Sequence, residues 1–333
     1  MKLINFLVYA VLRTFLFSAR FIPMAFTFWW LKILARLVYP LVKGRRALML
    51  YNLEFAMGDS ATLEERERIA YQSFENLFIS MGEFLHMDNI YARWQKHFRF
   101  TGDEIIDGLI KRGKGFFVFG GHFGGWTTMG SVRFRFPDLP GFNMVARPLR
   151  NPYLQNLLEY LAEKLGGRII STRGTGKAIE EAVARGELVG LYMDQESRRE
   201  QGTFVKFFGR EASSHVVPGY LAWKNNIPLI PYWVIRERPG YFHILFREPL
   251  QYELTDDKDE NNRRVTQAIA SEVERTIREH PEQWLWAHNR WRRRPDGTKI
   301  EIYAKRKKRS RTRARKKGEY LTSEDKERGG AED

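Results

Sequence analysis

The chain contains no cysteine. Disulfides, thiolate-ligated metals and a thiol nucleophile are therefore excluded. No G-x-S-x-G stretch occurs, so a serine-hydrolase elbow lacks its nucleophile. No H-E-x-x-H or paired-histidine spacing occurs either, and neither a metal nor another cofactor is expected. His86, His97, His243 and His280 stand singly and read as structural. Gly174-Thr175-Gly176-Lys177 hints at a phosphate loop. That pattern would need Gly at 171 and Ser or Thr at 178, where Ser171 and Ala178 stand. The stretch reads instead as a glycine-rich entry to a helix. Acidic residues are missing from 305–317, where ten Lys or Arg concentrate; of the net charge of +15, this leaves +5 for the rest of the 333 residues. The basic character belongs to one segment and not to the body. No internal repeat is present.

What is present begins with an apolar, aromatic N-terminus. Residues 3–42 are interrupted by Arg13, Arg20, Lys32 and Arg36. Leu3 to Ser18 falls short of the roughly 20 residues that a free-spanning helix needs, whereas Phe21 to Val42 is long enough. Two membrane arrangements fit: a spanning helix whose charges snorkel, or two helices lying partly in one leaflet. A buried core hairpin is the plain alternative. A cleaved signal peptide, with Lys2 as its basic start and Ser18-Ala19 before the cut, is disfavoured because the apolar character continues past that site. Lys43, Arg45 and Arg46 follow. By the positive-inside tendency they hold the next domain on the cytoplasmic side. The expected division is 1–43 as a membrane-anchoring segment, 44–303 as an α/β domain, and 304–333 as a charged, disordered tail.

Residues 47–100 predict helices, one of them opened by the capping box of Thr62 and Glu65. Beyond residue 101 the texture alternates. Strands are predicted at 115–119, 142–146, 167–171, 187–193, 228–236 and 241–247. Helices are predicted after the Asn151-Pro152 cap, at 175–185, at 215–225 and around Val265 to Ile277. This alternation predicts an α/β layered fold, a central and mostly parallel sheet flanked by helices.

Four features carry chemistry. Gly120-Gly121-His122-Phe123-Gly124-Gly125 puts one histidine among bare backbone at the end of an apolar strand. That setting suits a general base that meets its substrate closely; a satisfied structural His in a tight turn is the plain alternative. Arg147 and Arg150 follow a second strand and precede a helix. Asp194 and Gln195 follow a third, where sites of α/β folds usually lie. Trp284 to Trp291 is a Trp-rich segment with Arg290, readable as a packing anchor or an interfacial belt.

In this order the features resemble the bacterial lysophospholipid acyltransferase-like family, which includes the late acyltransferases of lipid A biosynthesis. The likeness covers roughly 3–294. It also takes in Tyr51-Asn52-Leu53-Glu54-Phe55, Gly202 to Gly209 and Pro281-Glu282-Gln283-Trp284. It implies an inner-membrane O-acyltransferase with its catalytic domain on the cytoplasmic face. Such an enzyme moves a fatty acyl chain from acyl carrier protein or coenzyme A to a hydroxyl of a glycolipid or phospholipid, a lipid A-type precursor first among them. His122 would be the base, and Arg147 or the N–H groups of Gly124, Gly125 and Trp126 would hold the oxyanion. Arg150 would take a phosphate, and Asp194 with Gln195 would orient a neighbour or the acceptor. Segment 305–317 would meet an anionic membrane surface.

The family places Asp or Glu five residues after the histidine, where Thr127 stands here. Thr127 can accept a hydrogen bond but brings no charge. Three outcomes fit: another carboxylate, Asp194 or Glu196, substitutes; the enzyme is slow; or it no longer transfers acyl groups. A non-catalytic lipid-binding relative and a basic nucleic-acid-binding membrane protein are the alternative classes; against the latter, the basic residues are not interleaved with aromatics.

Overall fold

A computed structural model describes residues 2–19, 21–172, 175–197 and 202–300. The segment 305–317, the rest of the expected tail and Gly174 lie outside the described residues.

The N-terminal half is helical: α1 (Lys2–Ala19), α2 (Met24–Val38), α3 (Lys43–Met57), α4 (Leu63–Leu85), α5 (Met87–Ala92) and α6 (Trp94–His97). Phe21 to Val42 is not one helix. Pro40 cannot continue a helical ladder and disfavours helix at the residue before it. The chain turns there, and α3 leaves α2 at 91°. No single helix among the described residues is long and apolar enough to cross a membrane; only α2 and α3 together pass that test, across their bend. Neither do these helices form a buried hairpin. On α2, Phe28, Leu31 and Ala35 are buried, while Trp29 is 56% exposed; on α1, Val11 is 71% exposed. The buried stripe of α2 lies on α4. There a Cβ added to Gly82 would come within 2.7 Å of Leu31 Cδ1, so only glycine admits this approach. Lys32, an interruption in the apolar run, stands 3.9 Å from Glu75 of α4.

α4 starts where its sequence says. Glu65 N–H donates to Thr62 Oγ1 at 3.2 Å and Thr62 N–H donates to Glu65 Oε2 at 2.7 Å, satisfying two otherwise orphan donors.

The rest is β1 (Phe98–Thr101), α7 (Asp103–Lys111), β2 (Phe116–Gly120), α8 (Val132–Arg135), β3 (Phe142–Ala146), α9 (Pro152–Lys164), β4 (Gly167–Ser171), α10 (Thr175–Ala184), β5 (Leu188–Tyr192), β6 (Gly202–Phe207), β7 (Arg210–His215), α11 (Val217–Lys224), β8 (Leu229–Arg238), β9 (Tyr241–Phe246) and α12 (Lys258–Glu279). Seven strands form one sheet in the order β1-β9-β8-β2-β5-β3-β4. All its pairings are parallel except β8 with β9. The α/β expectation with a mostly parallel sheet is met. β2 is central and fully buried, as an unbroken apolar run should be in a parallel sheet covered on both faces. Phe117 and Phe119 point into the core under α4, α10 and α12; Phe116 and Val118 point into the core under α7 and α8.

All six strands read from the sequence are present. β1 and the β6–β7 hairpin were not anticipated. That hairpin turns through Phe208 and Gly209, with φ of 52° and 71°. Two positive φ angles in a two-residue loop fit a type I′ turn, whose usual signal is Asn-Gly or Asp-Gly; Phe-Gly does not advertise it.

One buried ion pair ties these layers together. Arg236 of β8 and Glu83 of α4 meet in two hydrogen bonds, at 2.7 and 2.6 Å, with side chains 4% and 0% exposed. The guanidinium also donates to Asn76 Oδ1, Ser80 Oγ and the carbonyl of Gly124, at 2.8, 2.7 and 2.9 Å. Deleting one member strands a charge in the core, which typically costs about 3–5 kcal/mol. Glu83→Ala is therefore expected to lower stability by about that amount in denaturant unfolding, while the double replacement Glu83→Met, Arg236→Met recovers much of the loss. A single variant as stable as the wild type would contradict this account.

Candidate active site

β2 and β5 are adjacent and parallel, with Gly120 level with Tyr192. His122 and Asp194 each stand two residues beyond that rung. The chain then leaves the two strands in opposite directions. β3, which follows β2, lies beyond β5; β8, the next strand of this sheet after β5, lies beyond β2. Such a crevice at the carboxyl ends of strands is where open α/β sheets place their sites.

Asp194 is 2% exposed. Its Oδ1 lies 3.0 Å from His122 Nδ1, and its Oδ2 accepts from the His122 backbone N–H at 3.0 Å and from Trp284 Nε1–H at 2.9 Å. Gly121 permits this approach: a Cβ there would sit 3.0 Å from Asp194 Cβ and 3.1 Å from its Cγ. Burial pushes the carboxyl toward its neutral form, but the charge and hydrogen bonds of His122 and the indole of Trp284 win, and Asp194 is held far below the ordinary carboxylate range. For His122, burial pulls the imidazole pKa down. The charge and hydrogen bond of Asp194 outweigh it, so the group sits above its ordinary value. With Nδ1–H directed at the carboxylate, Nε2 is left as the basic nitrogen. The ring is flanked by Trp126 and Tyr192, at centroid distances of 4.9 and 5.0 Å.

His122 opens onto a cavity of about 980 Å³. Apolar lining comes from Leu77, Met81 and Phe84 of α4, Leu158 of α9 and Leu12 of α1. Polar lining comes from Thr127, Arg147, Gln195, Glu196 and His215. Arg147 is exposed at the cavity mouth. Arg150 is also exposed but lies outside the lining. Gln195 Nε2 stands 3.2 and 3.3 Å from the two ring nitrogens of His122. Equal distances to both place the amide over the ring face, not along a lone pair, so it packs on the base more than it bonds to it.

The structure revises several expectations. Residues 126–131 form a 3-10 turn kinked at Thr128, not the start of an α-helix. The N–H groups expected to hold an oxyanion are committed: Gly124 to Gln283 O, Gly125 to Val234 O and Trp126 to Phe123 O, at 3.0, 3.0 and 3.1 Å. Gly124 and Gly125 are absent from the cavity lining. Their glycine identity answers packing: at Gly124, φ is +52° and a Cβ would meet Val234 O at 2.2 Å. Thr127 lines the cavity, yet its Oγ1 is buried without a hydrogen-bond partner among the described residues, and the imidazole N–H is taken by Asp194. Glu196 pairs instead with Arg293 at 2.6 Å. Sequence reasoning missed His215 as a wall residue and Trp284 as a donor to Asp194. For Trp284 the signal was the Trp-rich segment itself, which offers a donor-only indole near the end of the fold.

Comparison with known proteins agrees with this geometry. The sequence profile of the family described as bacterial lipid A biosynthesis acyltransferase matches residues 1–293. A lipid A biosynthesis lauroyltransferase of Escherichia coli is 24% identical over 269 residues, covering 79% of this chain and 84% of that protein. A lipid A biosynthesis palmitoleoyltransferase of the same organism is 24% identical over 268 residues, covering 78% and 82%. A lipid A biosynthesis acyltransferase of Haemophilus influenzae is 26% identical over 246 residues, covering 71% and 72%. With the match spanning the helices, the sheet and the His122 turn alike, the chain belongs to the bacterial lipid A biosynthesis acyltransferase family and is, as a member, an O-acyltransferase.

Proposed function

We propose that this chain moves a fatty acyl chain from an acyl thioester, carried by acyl carrier protein or coenzyme A, to a hydroxyl of a lipid A-type precursor in the membrane. The observation that carries the reading is the His122–Asp194 pair opening onto a cavity lined by both apolar and polar side chains. The apolar lining suits the acyl chain, and the polar lining suits the thioester and the acceptor hydroxyl.

In this mechanism His122 Nε2 takes the proton of the acceptor hydroxyl as its oxygen attacks the thioester carbonyl carbon. The C=O π electrons move onto oxygen. Arg147, an exposed cation of the cavity lining, would stabilise that oxyanion. Collapse restores the carbonyl and breaks the C–S bond, and the imidazolium returns the proton to the departing thiolate. The products are an ester and a thiol; no acyl-enzyme is required. Asp194 keeps Nδ1–H oriented and stabilises the imidazolium, as the acid of a Ser-His-Asp arrangement does. Arg150, exposed and outside the cavity lining, is a candidate for a phosphate of donor or acceptor.

The exposed apolar faces of α1 and α2 would lie in the bilayer interface, with the site on the cytoplasmic face of the inner membrane. Segment 305–317 would add attraction to anionic headgroups, at about 1 kcal/mol per basic residue near the surface.

Labelled acyl donor and lipid acceptors, supplied to purified protein in detergent, test the reading. His122→Ala is expected to lower turnover by about 10²–10⁴-fold; undiminished transfer in this variant would sink the mechanism. Thr127→Ala should change turnover less than about tenfold, since the charge that serves His122 comes from Asp194; a loss as large as that of His122→Ala would return the orienting role to position 127. The pH dependence gives a signed check. The base works deprotonated, and Asp194 raises its pKa, so the acidic limb of kcat/KM should lie above the ordinary histidine value of about 6.5. Asp194→Asn removes the charge and leaves burial, so the limb should move to lower pH while the plateau falls. A limb that stays in place would separate Asp194 from the base.

A further inference from the structure

The segment after α12 does more than pack. Residues 283–285 run antiparallel to 122–124. Gly124 N–H donates to Gln283 O at 3.0 Å, Leu285 N–H donates to His122 O at 3.1 Å, and Phe123 and Trp284 pair between them. From the middle of this short ladder the Trp284 indole reaches Asp194 Oδ2 at 2.9 Å. One segment thus grips the main chain of the base and the side chain of its acid.

Trp284 has little freedom to do anything else. It is 1% exposed and its ring lies against Trp286 and Phe207, at centroid distances of 4.6 and 5.8 Å. Ser73 Oγ of α4 donates to its carbonyl at 2.5 Å. An indole N–H donates and never accepts. It therefore opposes both protonation of Oδ2 and a partial rotation of the carboxylate that would leave the indole without an acceptor. Oδ1 stays committed to the imidazole.

We infer that Trp284 is a positioning residue for the His122–Asp194 pair, fixing the carboxylate so that the base keeps one tautomer and one ring orientation. The inference rests on the acyltransferase reading for its consequence in turnover, and on geometry alone for its effect on the histidine.

Trp284→Phe keeps a ring in the core and removes the N–H. Without the indole, more of the carboxylate charge falls on the imidazole. His122 is then expected to titrate at higher pH by about half a unit, followed by NMR of histidine-labelled protein in detergent micelles. Turnover should fall about tenfold with KM within about twofold. Ser73→Ala is the control: it loosens the Trp284 backbone and spares the indole donor. It should lower the melting temperature and leave the His122 titration in place. The titration does not need turnover, so absence of acyl transfer by the wild type would count against the acyltransferase reading and leave this inference to the NMR result. A His122 titration identical in wild type and Trp284→Phe, or one that Ser73→Ala shifts equally, overturns the proposal.

Discussion

A carboxylate at 2% exposure is the constraint around which this site is built. Burying an ionised carboxyl without partners is prohibitive, so Asp194 is tolerable only where donors converge. Three do, from two parts of the chain: the His122 backbone, the His122 ring and the Trp284 indole. The parallel register of β2 and β5 brings the first two level with the acid. Gly121 clears the space between them. The chain after α12 then runs back along the His122 turn to supply the third. Remove any of these and the carboxylate must neutralise or find water, and the imidazole loses the charge that tunes it.

The same arrangement accounts for Thr127. A triad is defined by the geometry of its roles and not by sequence spacing. Asp194, just beyond the neighbouring strand, sets a negative charge against Nδ1–H at 3.0 Å, and Thr127 in the cavity lining adds none.

Much of this was legible in the sequence. The six strands of apolar run length, the Thr62–Glu65 capping box and the Asn151-Pro152 helix start are local signals, and each appears where its chemistry places it. Asp194 was readable, with Glu196, as a candidate acid because an acid directly after an apolar strand belongs at the edge where His122 also stands. What was not legible depends on pairing between distant segments. Nothing in Gly124-Gly125-Trp126 announces that its N–H groups are spent on Gln283, Val234 and Phe123. Nothing in Glu83 or Arg236 alone announces a buried pair 153 residues apart in sequence. The break of Phe21 to Val42 was signalled by Pro40, but length and apolarity outweighed that one residue in the reading.

The apolar surface and the cavity share the same elements, and that bears on how a lipid reaches His122. α1 sends Leu12 to the cavity wall and turns Leu3, Leu7 and Val11 to the outside. α4 lines the cavity with Leu77 and Phe84, and its Met81, also in the lining, is 54% exposed. Apolar lining thus reaches the surface at Met81, with Ser80 beside it on the same helix. Each methylene moved through water would cost about 0.8 kcal/mol, so for a fatty acyl chain a continuous apolar path matters more than any single contact along it. α1 and α2 also carry exposed apolar side chains, while Arg147, in the lining, and Arg150, outside it, are exposed cations. On the proposed reading, the acyl chain and the charged groups of donor and acceptor thereby meet different surfaces on the way to His122.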